Sequence, residues 1–355
     1  MLLQRIKNAM RILSQTFLAV FFASSALAAE WNDSKYGLPP LNHNREEVLT
    51  FFATNVYGVR PDMKSFKSEC KVIKTQDLKT CILKKVSINT LTPLGEKTFV
   101  ATAYFPKKEG KVPVWVMPGF EEPIRTFMKA HEGVMSRWPV DLITLSNSYA
   151  TVTFKNEDIL VDKADALSGI ERASDSWGAI SAWALAASRV VDWLETVPEA
   201  DMSKIAIVGL SRLGKTALWA GAQDTRFSLV CPTCSGLFGV RCTTVNVGDE
   251  TIERITRVFP HWFAPVCRER WSGMESKLPF DQHWLVAAVS PRLLAIGSAK
   301  EDMWACPTGE FTSFFLARNA WKDTTKCHYH IREGKHGLTR EDWQNYIDFA
   351  KKHGW

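Results

Sequence analysis

The chain reads as an α/β protein with a largely parallel sheet and helices on both faces, and three observations predict this. Strand-like apolar runs alternate with helix-periodic stretches through most of the 355 residues. That length suits one large α/β domain. No Gly/Ser-rich or Pro-rich run, block of like charge or internal repeat divides the chain.

The elements follow in order. Residues 1–28 begin with Arg5, Lys7 and Arg11, continue through the mainly apolar Ile12–Ala23, and end in Ala26-Leu27-Ala28, an A-x-A cleavage site. This is the pattern of a secretory signal peptide. The alternative, an uncleaved anchor, has an apolar stretch short of the roughly 20 residues a span needs. Residues 29–355 are then one domain with a decorated N-terminal part. Strands are expected at Thr98–Phe105, Val112–Met117, Ala150–Phe154, Ile205–Val208, Ser228–Cys231, Leu293–Gly297 and His328–Ile331. Helices are expected at Trp177–Glu195, Lys215–Ala222, Glu310–Trp321 and Arg340–Lys352, the last capped by Thr339 and Asp342.

Composition narrows the function. The formal charge of +6 falls to +3 once residues 1–28, with three basic and no acidic residues, are removed. That is too small and dispersed to suggest nucleic acid. Fourteen tryptophans are many; most suit core packing, and those near Gly, Pro or polar residues also suit stacking on sugars or aromatic groups. Eight cysteines in an exported chain permit up to four disulfides, with Cys70 and Cys81 placed to staple a local hairpin. Cys231 and Cys234 form C-x-x-C, but no second pair at zinc-ribbon spacing follows, so the cysteines read as structural.

The most informative stretch is Ile205–Ala222, where an apolar strand breaks at Gly209, presents Ser211 and Arg212, and resumes as a helix after Gly214. A serine on a sharp strand-to-helix turn is the nucleophile elbow of an α/β-hydrolase. Gly209–Thr216 also satisfies the phosphate-loop pattern G-x-x-x-x-G-K-[ST]. An exported protein meets little nucleotide, and no suitable downstream strand ends in a magnesium-binding aspartate, so the elbow is preferred. Its serine needs a base and an acid to orient that base. Both follow in hydrolase order: Glu301 and Asp302 after a late strand, then His336 in a Gly-flanked loop. His328 and His330 lie within a strand and suit packing better than a three-histidine metal site with His336, since no strong ligand spacing supports the metal.

These residues resemble the glucuronoyl esterases, carbohydrate esterase family fifteen, in their bacterial branch. The family's G-x-S-R-x-G-K signature matches Gly209-Leu-Ser211-Arg212-Leu-Gly214-Lys215. Further similar blocks are Arg137–Val140, Asp175–Ile180, Phe259–Phe263, Leu278–His283, Ser290–Leu293, Glu301–Trp304 and Gly334–His336, from about residue 100 to the end. The resemblance implies Ser211 as nucleophile, His336 as general base and Arg212 as an oxyanion donor beside backbone N–H groups. Lys215 and Glu250 would bind sugar hydroxyls, and Trp304 would lie over the glucuronate. The [ED]-S-G segment that carries the acid in many relatives reads Cys234-Ser235-Gly236 here. The acid's role therefore moves to Asp302, which matches bacterial relatives, with Glu301 as runner-up. The fungal cysteines beside nucleophile and histidine are replaced by Leu210 and Gly337. Phe120 is an unsettled candidate for the second oxyanion N–H.

The expected activity is hydrolysis of (4-O-methyl) glucuronate esters, such as glucuronoxylan–lignin links, through an acyl-enzyme. No metal, cofactor, nucleic-acid partner or stable membrane insertion is expected, and the protein is read as a secreted or periplasmic monomer. The alternatives are a carbohydrate acetyl esterase of the same fold and a secreted sugar-binding protein without catalysis.

Overall fold

The computed structural model describes residues 37–60, 68–78, 81–92, 94–119, 148–245 and 250–355. The proposed signal peptide, Phe120 and Arg137–Val140 lie outside them. The chain divides into Met1–Pro40 and a compact unit, Leu41–Trp355, that holds every element below.

In chain order these are α1 (Arg45–Phe52), β1 (Glu69–Asp77), β2 (Cys81–Thr92), β3 (Gly95–Pro106), β4 (Val112–Gly119), β5 (Ala150–Lys155), α2 (Ala179–Leu194) and β6 (Ala200–Leu210). There follow α3 (Arg212–Gln223), β7 (Leu229–Thr233), α4 (Ile252–Val258), α5 (Pro265–Trp271), α6 (Gln282–Ala287), β8 (Leu293–Ala299), α7 (Pro307–Ala317), β9 (Cys327–Arg332) and α8 (Arg340–Lys352). Among the described residues the strands form one nine-stranded sheet in the order β1-β2-β3-β5-β4-β6-β7-β8-β9. The run from β5 through β9 is parallel, while β1, β2 and β3 join it antiparallel.

Alternation along the parallel strands explains why helices cover both faces. Val114, Val116, Ile205, Ile207, Val230, Leu294 and Ile296 pack into one cluster with α2 and α3, including Trp183 and Trp219. Their neighbours Trp115, Met117, Ala206, Val208, Leu229, Cys231, Leu293 and Ala295 pack into a second cluster with Trp343, Tyr346 and Ile347 of α8. Successive side chains point to opposite faces of a strand, so a central strand buried on both sides is apolar at nearly every position.

Two expectations need correction. Strand β1 is absent from the expected strands because it is exposed along almost its whole length, which removes the apolar alternation that marks a half-buried strand. The Cys70–Cys81 staple does not form, and all eight cysteines are free thiols. Cys70 pairs in register with Ile88, seven residues along β2 from Cys81. At about 3.3 Å per residue that is on the order of 20 Å, far beyond the reach of a disulfide.

Candidate active site

Parallel β6, β7, β8 and β9 deliver four loops to the same edge of the sheet, the carboxyl edge where α/β proteins place their chemistry. The loop after β6 is Ser211 alone, with φ 61° and ψ −126°. A non-glycine residue there is strained, and the surroundings hold it in place. The Ser211 N–H donates to the Thr233 carbonyl at 2.9 Å, and its own carbonyl accepts from Lys215 N at 3.0 Å to start α3. Glycines make the bend possible. A Cβ on Gly209 would sit 1.9 Å from the Leu213 carbonyl oxygen, and one on Gly214 would sit 2.9 Å from that of Thr233.

The loops after β8 and β9 are joined to each other. Lys300 N donates to the Arg332 carbonyl at 2.9 Å and Glu301 N to that of Gly334 at 3.0 Å. This brings Asp302 Oδ2 to 2.6 Å from His336 Nδ1. Asp302 is buried, and its Oδ1 accepts from Ala305 N at 3.2 Å. Burial pushes its carboxyl up, but hydrogen bonding and charge from His336, with smaller contributions from Ala305 N–H and the Cys234 thiol, hold it below its ordinary value. Glu301, the runner-up, is exposed and is not the residue that meets His336. The histidine loop is braced by Arg332, whose Nη2 donates to the Gly337 carbonyl at 2.7 Å and whose Nε donates to Asp342 at 2.8 Å. The same aspartate lies 2.8 Å from His330 Nε2. His328 stacks on Phe349. The two strand histidines therefore pack, as their position suggested, and do not converge with His336.

One cavity is lined by Ser211, Arg212, Lys215, Cys234, Glu250 and Trp304, with Phe259 and Trp262 on its wall. Arg212 lies with its guanidinium 4.7 Å from the Trp262 ring centroid and 5.2 Å from that of Phe259. Its Nη1 donates to Asp162 at 2.6 Å. Asp162 also meets Trp262 Nε1 and His261 Nε2, each at 2.8 Å. Burial opposes its ionisation, yet the bonds from His261, Trp262 and Arg212 bring its carboxyl down to about 2.

Lys215 is buried and donates to the carbonyls of Ser235 and Leu237, both at 2.6 Å, with Glu250 Oε1 4.0 Å away. Burial lowers its pKa, against the pull of Glu250 and Glu310. Glu250 Oε2 accepts from Leu237 N at 2.9 Å. Trp304 is 38% exposed, and the Arg254 guanidinium lies 4.6 Å from its ring centroid.

Three groups escaped sequence reasoning. Asp162 lies in an irregular segment with no motif around it. Glu310 is buried in α7, where its Oε1 accepts from Ser235 N at 2.7 Å and Gly236 N at 3.0 Å, and its Oε2 meets the Ser298 hydroxyl. Cys234, which the sequence presents as a structural cysteine where many relatives carry the acid, lies beside Asp302 and His336, with the ligand atoms of all three within 4.8 Å of one another.

A sheet of this order, with a strained serine between strand and helix after β6 and an Asp–His pair on the loops after β8 and β9, defines the α/β-hydrolase class. A family model described as fungal glucuronyl esterase matches residues 98–324. The carbohydrate esterase MZ0003 of an unknown prokaryotic organism is 33% identical over 392 aligned positions, covering 92% of this chain and 86% of the relative. A 4-O-methyl-glucuronoyl methylesterase of Hypocrea jecorina is 33% identical over 188 residues, 49% of this chain and 40% of that protein. The solved glucuronoyl esterase of Solibacter usitatus superposes with a TM-score of 0.77 at 28% identity, covering 88% of this chain and 92% of the other. The chain belongs to the glucuronoyl esterase family, the carboxylic ester hydrolases of carbohydrate esterase family 15. Membership in an enzyme family sets aside the reading as a sugar-binding protein without catalysis. Among the described residues no helix is long and apolar enough to cross a membrane.

Proposed function

We propose that this chain hydrolyses esters of glucuronic or 4-O-methyl-glucuronic acid, a reading supported by its likeness to the 4-O-methyl-glucuronoyl methylesterase of Hypocrea jecorina, and that the natural ester joins glucuronoxylan to a lignin alcohol. The observation that carries this reading is one cavity lined by the strained Ser211 together with Arg212, Lys215, Glu250 and Trp304. Their polar groups suit a sugar whose carboxyl is masked as an ester, and the indole offers a face for its ring.

In the mechanism, His336 takes the Ser211 hydroxyl proton through Nε2 while Asp302 holds the Nδ1–H and stabilises the imidazolium. Ser211 Oγ attacks the uronate ester carbonyl. Arg212 stabilises the oxyanion, a contribution on the order of 3 kcal/mol for one well-placed donor. The tetrahedral intermediate expels the alcohol, which leaves with the proton from His336, and a glucuronoyl group remains on Ser211. Water, activated by the same histidine, releases glucuronate and restores the serine. The leader-like residues 1–28 support export, so the protein would act on polymer outside the cytoplasm.

The test compares hydrolysis of benzyl glucuronate with that of an acetylated xylo-oligosaccharide. Preference for the glucuronate ester supports the reading. Activity confined to the acetyl ester would transfer the site to a carbohydrate acetyl esterase.

A further inference from the structure

We propose that Cys234, Asp302 and His336 form a binding site for a thiophilic divalent cation such as Zn2+, and that filling it switches the esterase off. Among the described residues this is the one place where three such side chains converge, with a sulfur, a carboxylate oxygen and a ring nitrogen within 4.8 Å of one another. Cys234 is a free thiol. Its thiol donates to the Gly337 carbonyl oxygen at 3.8 Å, so it is packed against the histidine loop. Bonds of about 2.0–2.3 Å in a tetrahedron set neighbouring zinc ligands roughly 3.3–3.6 Å apart, a spacing these side chains reach with small rotations.

The donor set selects the metal. A thiolate with an imidazole and one carboxylate suits Zn2+ or Co2+ and does not suit Mg2+ or Ca2+, which take oxygen ligands. Asp302 and Cys234 are buried, while the His336 side chain is 38% exposed, so a cation reaches the trio from the histidine side and keeps a water there as fourth ligand.

Binding and inhibition are linked by the tautomer. The metal displaces the thiol proton to solvent and takes the Nδ1 lone pair, so the neutral imidazole must carry its proton on Nε2. That nitrogen then donates and cannot accept the Ser211 proton. The loss of activity rests on the proposed role of His336 as base; the metal site itself does not.

Tag-free, reduced protein is titrated with Co2+ and followed by the thiolate-to-cobalt charge-transfer absorption, then with Zn2+ against esterase rate, each variant normalised to its own metal-free rate. The expected result is a charge-transfer band saturating at one equivalent in the native protein and missing from both Cys234→Ser and Cys234→Ala. Zinc inhibition reversed by EDTA is expected, with its midpoint raised at least tenfold in both variants, as for loss of a metal ligand contact. Two variants of different polarity guard against one that folds poorly. Absence of the band, or its survival without Cys234, would overturn the site. A full band with undiminished rate would overturn the switch. A native enzyme that binds Co2+ through Cys234 but cleaves no glucuronate ester would leave the site standing and refute the substrate reading instead.

Discussion

His336 Nδ1 lies 2.6 Å from Asp302 Oδ2, and the two residues reach that contact from loops after different strands, β9 and β8. Glu301, one residue earlier, is exposed. Asp302→Asn is therefore expected to lower kcat by roughly 10³ to 10⁴ through loss of the correct tautomer. Glu301→Gln is expected to change it by less than about twofold. Steady-state kinetics on one glucuronate ester separates the two, and a large effect at Glu301 would reassign the acid.

Arg212 lines the pocket and is held by Asp162 at 2.6 Å, so the two are expected to act as one unit. Arg212→Ala should cost about 10² to 10³ in kcat. Arg212→Lys should recover only part of this, because a point charge does not reproduce a stacked guanidinium. Asp162→Asn should weaken catalysis in the native background and change little once Arg212 is gone, a non-additivity that a double-mutant cycle measures.

The Asp162 carboxyl sits at about 2, against its ordinary value of 3.8. Its stabilising contribution is complete above the ordinary value and is lost as the pH falls through about 2. Urea unfolding between about pH 4 and about pH 2 should show a shallower loss of stability in Asp162→Asn than in the native protein.

Glu310 has the opposite sign. Burial, only partly offset by Ser298 and the amides of Gly236 and Ser235, raises its carboxyl to about 7 from 4.5. Its stability contribution is full below the ordinary value and declines as the pH rises towards about 7. Glu310→Gln keeps an acceptor for the two amides and should flatten the pH dependence of stability across that window. An unchanged slope would contradict the assignment.

Gly209→Ala tests the elbow itself. A methyl 1.9 Å from the Leu213 carbonyl oxygen requires the turn to open. A destabilisation of about 3 kcal/mol or more and near-complete loss of activity are expected, read by chemical unfolding and ester turnover.

The parts of the molecule legible in the sequence are those with a local signal. Ile205–Val208 announces its strand because both faces are buried, and Gly209 and Gly214 flank Ser211 because the bend leaves no room for a Cβ. Chain order after the nucleophile leaves Glu301, Asp302 and His336 as candidates, and the resemblance to bacterial relatives is what points to Asp302 rather than Glu301. Asp162 was not: it reaches Arg212 across 50 residues, and a contact fixed only by tertiary packing leaves no trace in neighbouring letters. Glu310 reaches the backbone of Ser235 across 75 residues and was hidden for the same reason. β1 was missed because an exposed edge strand has no buried face to pattern it.

The central claim is that Ser211 carries the glucuronoyl group in turnover, and an acid-quenched reaction of benzyl glucuronate with the enzyme, followed by peptide mapping, tests it directly. The account predicts a glucuronoyl ester on the peptide containing Ser211 and none in Ser211→Ala. Turnover that persists in Ser211→Ala, or an adduct on another residue, would contradict it.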